Sequence, residues 1–125
     1  MAPVTIHVID DDEAMRQSLA FLLESAGFSV STYESALAFL ALSHVAETAV
    51  VVTDVRMPDV SGLELVQRMR ARGMAHPVIM VTGHGDGALG AEAVQSGASE
   101  VLEKPFGDEA LLSAINAAMR GRSTA

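Results

Sequence analysis

Short apolar runs alternate five times with longer segments of helical spacing, and no other feature of the chain restricts its fold as tightly. Strict alternation implies crossover units, in which each helix returns the chain so that the next strand lies parallel to the last. The expected strands are Val4 to Ile9, Ser29 to Tyr33, Ala49 to Thr53, Val78 to Val81 and Glu100 to Leu102. "AVVVT" and "VIMV" are apolar at every position instead of every second one, as strands are when helices cover both faces of a parallel sheet. Helices are expected over 13–25, 35–42, 61–72, 87–96 and 108–120. Ser61 and Glu64 fit a capping box, Gly27, Gly73 and Gly97 fit helix stops, and Asp108 fits a cap.

A chain of 125 residues, half of them hydrophobic and without a low-complexity tract, is expected to form one domain over 1–125. The net charge of −8 argues against this domain itself binding nucleic acid or an anionic membrane, either of which needs a basic surface. "QRMRAR", with Arg68, Arg70 and Arg72, is the one basic concentration and is expected to be a solvated helix face. No cysteine is present, which removes disulfides, thiol nucleophiles and thiolate metal sites. "MAPVTIHV" has no secretory pattern and no apolar run approaches about 18 residues, so the expected location is the cytoplasm.

In an open parallel sheet, ligands bind outside the carboxyl ends of the strands. The residues expected there are Asp10 and Asp11, then Asp54, then Thr82 and Gly83, then Glu103 and Lys104. In "HVIDDDEAMR" four acids follow one another at a strand end, where two unit charges about 4 Å apart repel by roughly 4 kcal/mol at the effective dielectric of a protein surface. A bound cation would explain them. Mg²⁺ takes oxygen ligands and is commonly held by one or two carboxylates and a phosphate, and Asp10, Asp11 and Asp54 supply such a half-site. A carboxylate can also attack phosphorus, and Asp54, alone after "VVVT", is the better nucleophile. Lys104, the only lysine in the chain, precedes Pro105 and can pair with a phosphoryl oxygen, while the Thr82 hydroxyl can donate to another.

The segments "VIDDDEAMR", "VVTDVRMPDVSG", "VIMVTGHGD" and "EKPF", in that order and spacing, resemble the receiver domain of two-component response regulators, and the FixJ-type group in particular. The resemblance implies an α/β, flavodoxin-like (CheY-like) doubly wound sheet of five parallel strands in order 2-1-3-4-5 with five helices. It implies Asp54 as phosphoacceptor, and Asp10, Asp11, Asp54 and the Arg56 main-chain carbonyl around Mg²⁺, for which Mn²⁺ or another divalent cation can substitute. Thr82 and Lys104 become the switch hydroxyl and phosphate-binding lysine, and Arg56 and His84 occupy positions that tune phosphoryl lifetime in the family. A sensor histidine kinase is the implied phosphodonor. A phosphorylation-dependent homodimer, or an output domain or partner, is the implied recipient, through the face of the fourth helix, fifth strand and fifth helix. The activity is that of a signalling module that assists only its own phosphorylation and dephosphorylation. Asp12, left over from the metal set, is expected to cap the first helix.

One departure stands out. Many receivers carry an aromatic residue three positions before the lysine, and here that residue is Val101, which implies a smaller conformational response. Two other readings are weaker. A dehalogenase-type phosphatase also uses a strand-end Asp and Mg²⁺ but resembles D-x-D there, and this chain has Arg56 at the second acid. "GDGALG" has the spacing of a dinucleotide fingerprint, yet it follows the fourth expected strand in a chain too short for two mononucleotide-binding halves. His7, inside a strand, is expected to be a packed core residue, and Met15, Met69 and Met80 fit core positions.

Overall fold

The computed structural model describes residues 4–83 and 87–123. Ten elements alternate along the chain: β1 (Thr5–Ile9), α1 (Glu13–Ser25), β2 (Ser29–Tyr33), α2 (Ala36–Leu40), β3 (Val50–Asp54), α3 (Gly62–Ala71), β4 (Val78–Thr82), α4 (Gly87–Gln95), β5 (Glu100–Glu103) and α5 (Asp108–Ser123). All strand pairs are parallel and the order is β2-β1-β3-β4-β5, as the resemblance implied.

The unbroken apolar runs are explained by two cores, one on each face. Val51, Val78 and Met80 point toward Phe39 of α2, Leu65, Val66 and Met69 of α3, and Ala93 of α4. Their neighbours Val50, Val52, Ile79 and Val81 point the other way, toward Leu19 and Leu23 of α1 and Leu111 and Ile115 of α5. Burying one such aliphatic side chain is worth about 1.5–3 kcal/mol, and here both faces of the strands contribute. Thr53 is the polar exception in this run; its hydroxyl donates to the Asp54 carbonyl at 3.1 Å.

Caps fix the helix entries. Asp12 accepts the Ala14 and Met15 N–H groups at 2.9 and 3.3 Å, the expected role of the leftover acid. Ser35 caps α2 and Ser61 caps α3, the latter by accepting the Glu64 N–H at 3.2 Å. Gly27, Gly73 and Gly97 have φ of 98°, 79° and 111°, the left-handed backbone that ends helices and favours glycine.

Four sequence-based expectations need correction. Asp54, Thr82 and Glu103 are the last residues of their strands and do not follow them, because the ladder runs on through Asp54↔Val81 and Thr82↔Glu103. The second helix is shorter than expected, ending at Leu40, and the fifth reaches Ser123. Asp108 is the first residue of α5 and not its cap; the Gly107 carbonyl accepts the Ala110 and Leu111 N–H groups, leaving Asp108 and Glu109 as charges in the first turn. The arginine run is a solvated face only in part: Arg68 and Arg72 are exposed, but Arg70 is half-buried and donates to the carbonyls of Met74, His76 and Gly97 at 2.8, 2.9 and 2.9 Å, and Arg72 donates to Leu40 at 2.8 Å. These carbonyls lie at or beyond helix ends and in the loop before β4, where a long forked donor can reach several of them at once.

No helix among the described residues is long and apolar enough to cross a membrane.

Candidate functional site

The carboxyl edge of the sheet gathers the acids. Oxygen atoms of Asp10, Asp11 and Asp54 lie within 4.8 Å of one another, the one such group of metal-ligating side chains among the described residues. Asp10 is buried, Asp54 half-buried and Asp11 exposed, so the trio runs from the sheet interior to solvent.

Asp10 is held at three atoms. Its N–H donates to the Tyr33 carbonyl at 3.1 Å, its Oδ1 accepts the Asp12 N–H at 2.9 Å, and its own carbonyl accepts Arg16 Nη1 at 2.6 Å. Burial pushes its carboxyl above the ordinary aspartate value; the Asp12 N–H opposes this, and the Asp54 charge adds to it. An oxygen-rich, partly desolvated acid cluster of this kind suits a hard divalent cation, whose charge would oppose that upward shift.

Asp54 ends β3, and both of its side-chain oxygens are engaged. Oδ1 accepts the Arg56 N–H at 3.1 Å, and Oδ2 faces Lys104 Nζ at 3.3 Å. Lys104 reaches in from the loop after β5, where its own N–H donates to the Thr82 carbonyl at 2.8 Å and its bond to Pro105 is cis. Thr82 is buried at the end of β4, and its hydroxyl makes a long, weak bond of 3.5 Å to the Leu102 carbonyl. Arg56 is exposed, and Val101 packs against the core formed with α3 and α4. His84 and Gly85 lie outside the described residues.

Sequence reasoning missed three supports. The first is Gly62. A Cβ there would sit 2.5 Å from the Asp54 carbonyl oxygen, 2.6 Å from Met80 Sδ and 3.0 Å from Val55 Cα, so α3 can start against the end of β3 only because this residue has no side chain. Glycine directly after a capping serine was the available signal. The second is Arg16, and the third is Tyr33, whose carbonyl holds Asp10 while its hydroxyl bonds His7 Nδ1 at 2.9 Å. His7 is buried, as expected, with its ring edge-on to Phe39 at 5.3 Å.

Comparison with known proteins gives the same family from three directions. The profile of the response regulator receiver domain matches residues 6–116. The transcriptional regulatory protein FixJ of Azorhizobium caulinodans is 52% identical over 118 residues, covering 94% of this chain and 56% of that protein. FixJ of Bradyrhizobium diazoefficiens is 50% identical over 92% of this chain and 56% of its own length. The chain therefore spans a little over half the length of these relatives. Among solved structures, the FixJ-N crystal structure superposes with a TM-score of 0.90 at 43% identity, covering 96% of both chains. Full-length FixJ from B. japonicum gives 0.85 at 48% identity, over 96% of this chain and 59% of that one.

Proposed function

The chain belongs to the response regulator receiver domain family, and we propose that it is a phosphorylation switch in which Asp54 accepts a phosphoryl group from a sensor histidine kinase. The observation that carries this reading is the pairing at one sheet edge of three clustered carboxylates with a single lysine, 3.3 Å from Asp54.

Mg²⁺, or Mn²⁺ or another divalent cation in its place, would be held by Asp10, Asp11, Asp54 and the Arg56 main-chain carbonyl. Its chemistry there is to neutralise charge between the carboxylate and the incoming phosphoryl oxygens. An Asp54 oxygen attacks phosphorus of the kinase phosphohistidine; the P–N bond breaks and its electron pair leaves with the imidazole nitrogen, which takes up a proton. The resulting acyl phosphate exchanges the Lys104–Asp54 contact for a contact between Lys104 and a phosphoryl oxygen. The Thr82 hydroxyl leaves the Leu102 carbonyl to donate to another phosphoryl oxygen; the weakness of its present bond makes that exchange inexpensive. Arg56 and His84 set the rate at which water attacks the acyl phosphate. The changed face comprises α4, β5 and α5, which serves a homodimer, an output domain or a partner. The domain itself binds neither nucleic acid nor membrane, and a DNA-binding output would belong to the remainder of a longer chain. The protein works in the cytoplasm and turns over no external substrate, assisting only its own phosphorylation and dephosphorylation.

The deciding measurement is intact mass after incubation with acetyl phosphate, with Mg²⁺ or with chelator, alongside Asp54→Ala. One added phosphoryl group that requires both Mg²⁺ and Asp54 is expected. No adduct under rapid quenching, with a phosphoramidate donor also tried, would leave a domain that serves protein contacts alone.

A further inference from the structure

We propose that Arg16 is a positioning residue for the cation, fixing the exposed Asp11 carboxylate by holding the peptide that joins Asp11 to Asp10; this rests on the metal-binding reading above. Arg16 lies in the first turns of α1, and its Nη1 donates to the Asp10 carbonyl at 2.6 Å. That carbonyl belongs to the Asp10–Asp11 peptide, so its direction sets the direction in which the Asp11 side chain leaves the backbone. The preceding residue is held at two further atoms: the Asp10 N–H is bonded to Tyr33 and its Oδ1 to Asp12. Asp11 is the solvent-exposed member of the trio and depends on its backbone for position. Arg16 supplies a further constraint from a helix whose start is capped by the Asp12 side chain.

The position of the guanidinium makes the inference decidable by sign. A cation beside an acid cluster competes with a metal ion, so if Arg16 acted only through its charge, removing it would tighten Mg²⁺ binding. If it positions Asp11, removing it weakens binding, because groups that orient metal ligands contribute substantially to affinity.

The test is calorimetric titration of the full chain with MgCl₂ at neutral pH, comparing wild type with Arg16→Met, Arg16→Lys, Arg72→Met and Asp11→Asn. Arg16→Met is expected to bind Mg²⁺ about 10-fold more weakly, with Arg16→Lys in between. Arg72→Met, which removes a similar bond to the Leu40 carbonyl, should bind like wild type. A second readout is phosphorylation by acetyl phosphate as a function of Mg²⁺: the half-saturating concentration should rise in Arg16→Met, and the deficit should close as Mg²⁺ is raised. Equal or tighter binding in Arg16→Met overturns the proposal, as does a deficit that persists undiminished at saturating Mg²⁺. If Arg16→Met does not fold, Arg16→Gln is judged by the same outcomes. Identical titrations of wild type and Asp11→Asn would instead bring down the metal-binding reading, and the role of Arg16 with it.

Discussion

The two halves of the site edge are built differently. At the ends of β1 and β3, Asp10 is bonded through its N–H, its carbonyl and its side chain, and Asp54 Oδ1 accepts the Arg56 N–H within its own loop. At the ends of β4 and β5, the Thr82 hydroxyl has a 3.5 Å bond, and β5 is a half-exposed edge strand of four residues. The first half holds its geometry while charge accumulates; the second is lightly held and can change arrangement. A switch needs both, because a ligand shifts a conformational equilibrium only by its differential affinity for the two states.

The largest test of this contrast is at Gly62. The methyl of Gly62→Ala would meet the Asp54 carbonyl and Val55 Cα, backbone atoms that cannot rotate away. The expected cost is about 2–3 kcal/mol in urea unfolding, with phosphorylation of Asp54 slowed as well. Unchanged stability would mean that the β3 end is as pliable as the β4 end.

A smaller effect is expected at Val101, which lies beside Met80 in the register and packs on the α3–α4 core. With an aliphatic side chain there, phosphorylation of the wild type should move the amide resonances of residues 91–103 only modestly, and Val101→Tyr should enlarge the response. Large wild-type shifts across this segment would show that α4 and β5 respond fully without an aromatic ring.

The smallest effect concerns the support beneath Asp10. Burial, and secondarily the nearby His76, holds the His7 imidazole below its usual 6.5. The unfolded chain therefore takes up the proton first. The stability associated with neutral His7 is complete above about pH 6.5 and is lost as pH falls through the lower folded value. Chemical denaturation at stepped pH should show this decline; a flat profile from pH 8 to 5 would contradict it.

The fold was legible because burial on both sheet faces leaves unmistakable apolar runs, and because glycine and cap residues punctuate the helices. The acids, Thr82 and Lys104 were legible because strand ends in a parallel sheet converge on one edge. Part of what escaped notice consists of side chains bonded to distant backbone. Arg70 reaches Gly97 and Arg72 reaches Leu40 across 27 and 32 residues, and no periodicity records such a bond. Gly62 is a related case, since the space it must leave empty is defined by the end of β3 and by Met80 on the next strand, which only the folded chain brings together.

The contact between Lys104 and Asp54 closes a loop of 50 residues. Local segments cannot preassemble it, because parallel pairing leaves every strand neighbour far along the chain and loop-closure entropy must be met before such contacts form. A folding intermediate that lacks β5 thus lacks the lysine, and one that lacks the β1–β3 pairing keeps its acids apart. Electrostatic repulsion among the carboxylates is deferred until two apolar cores can oppose it, and on the proposed function uptake of phosphate would be a property of the finished sheet alone, and so an assay of complete folding.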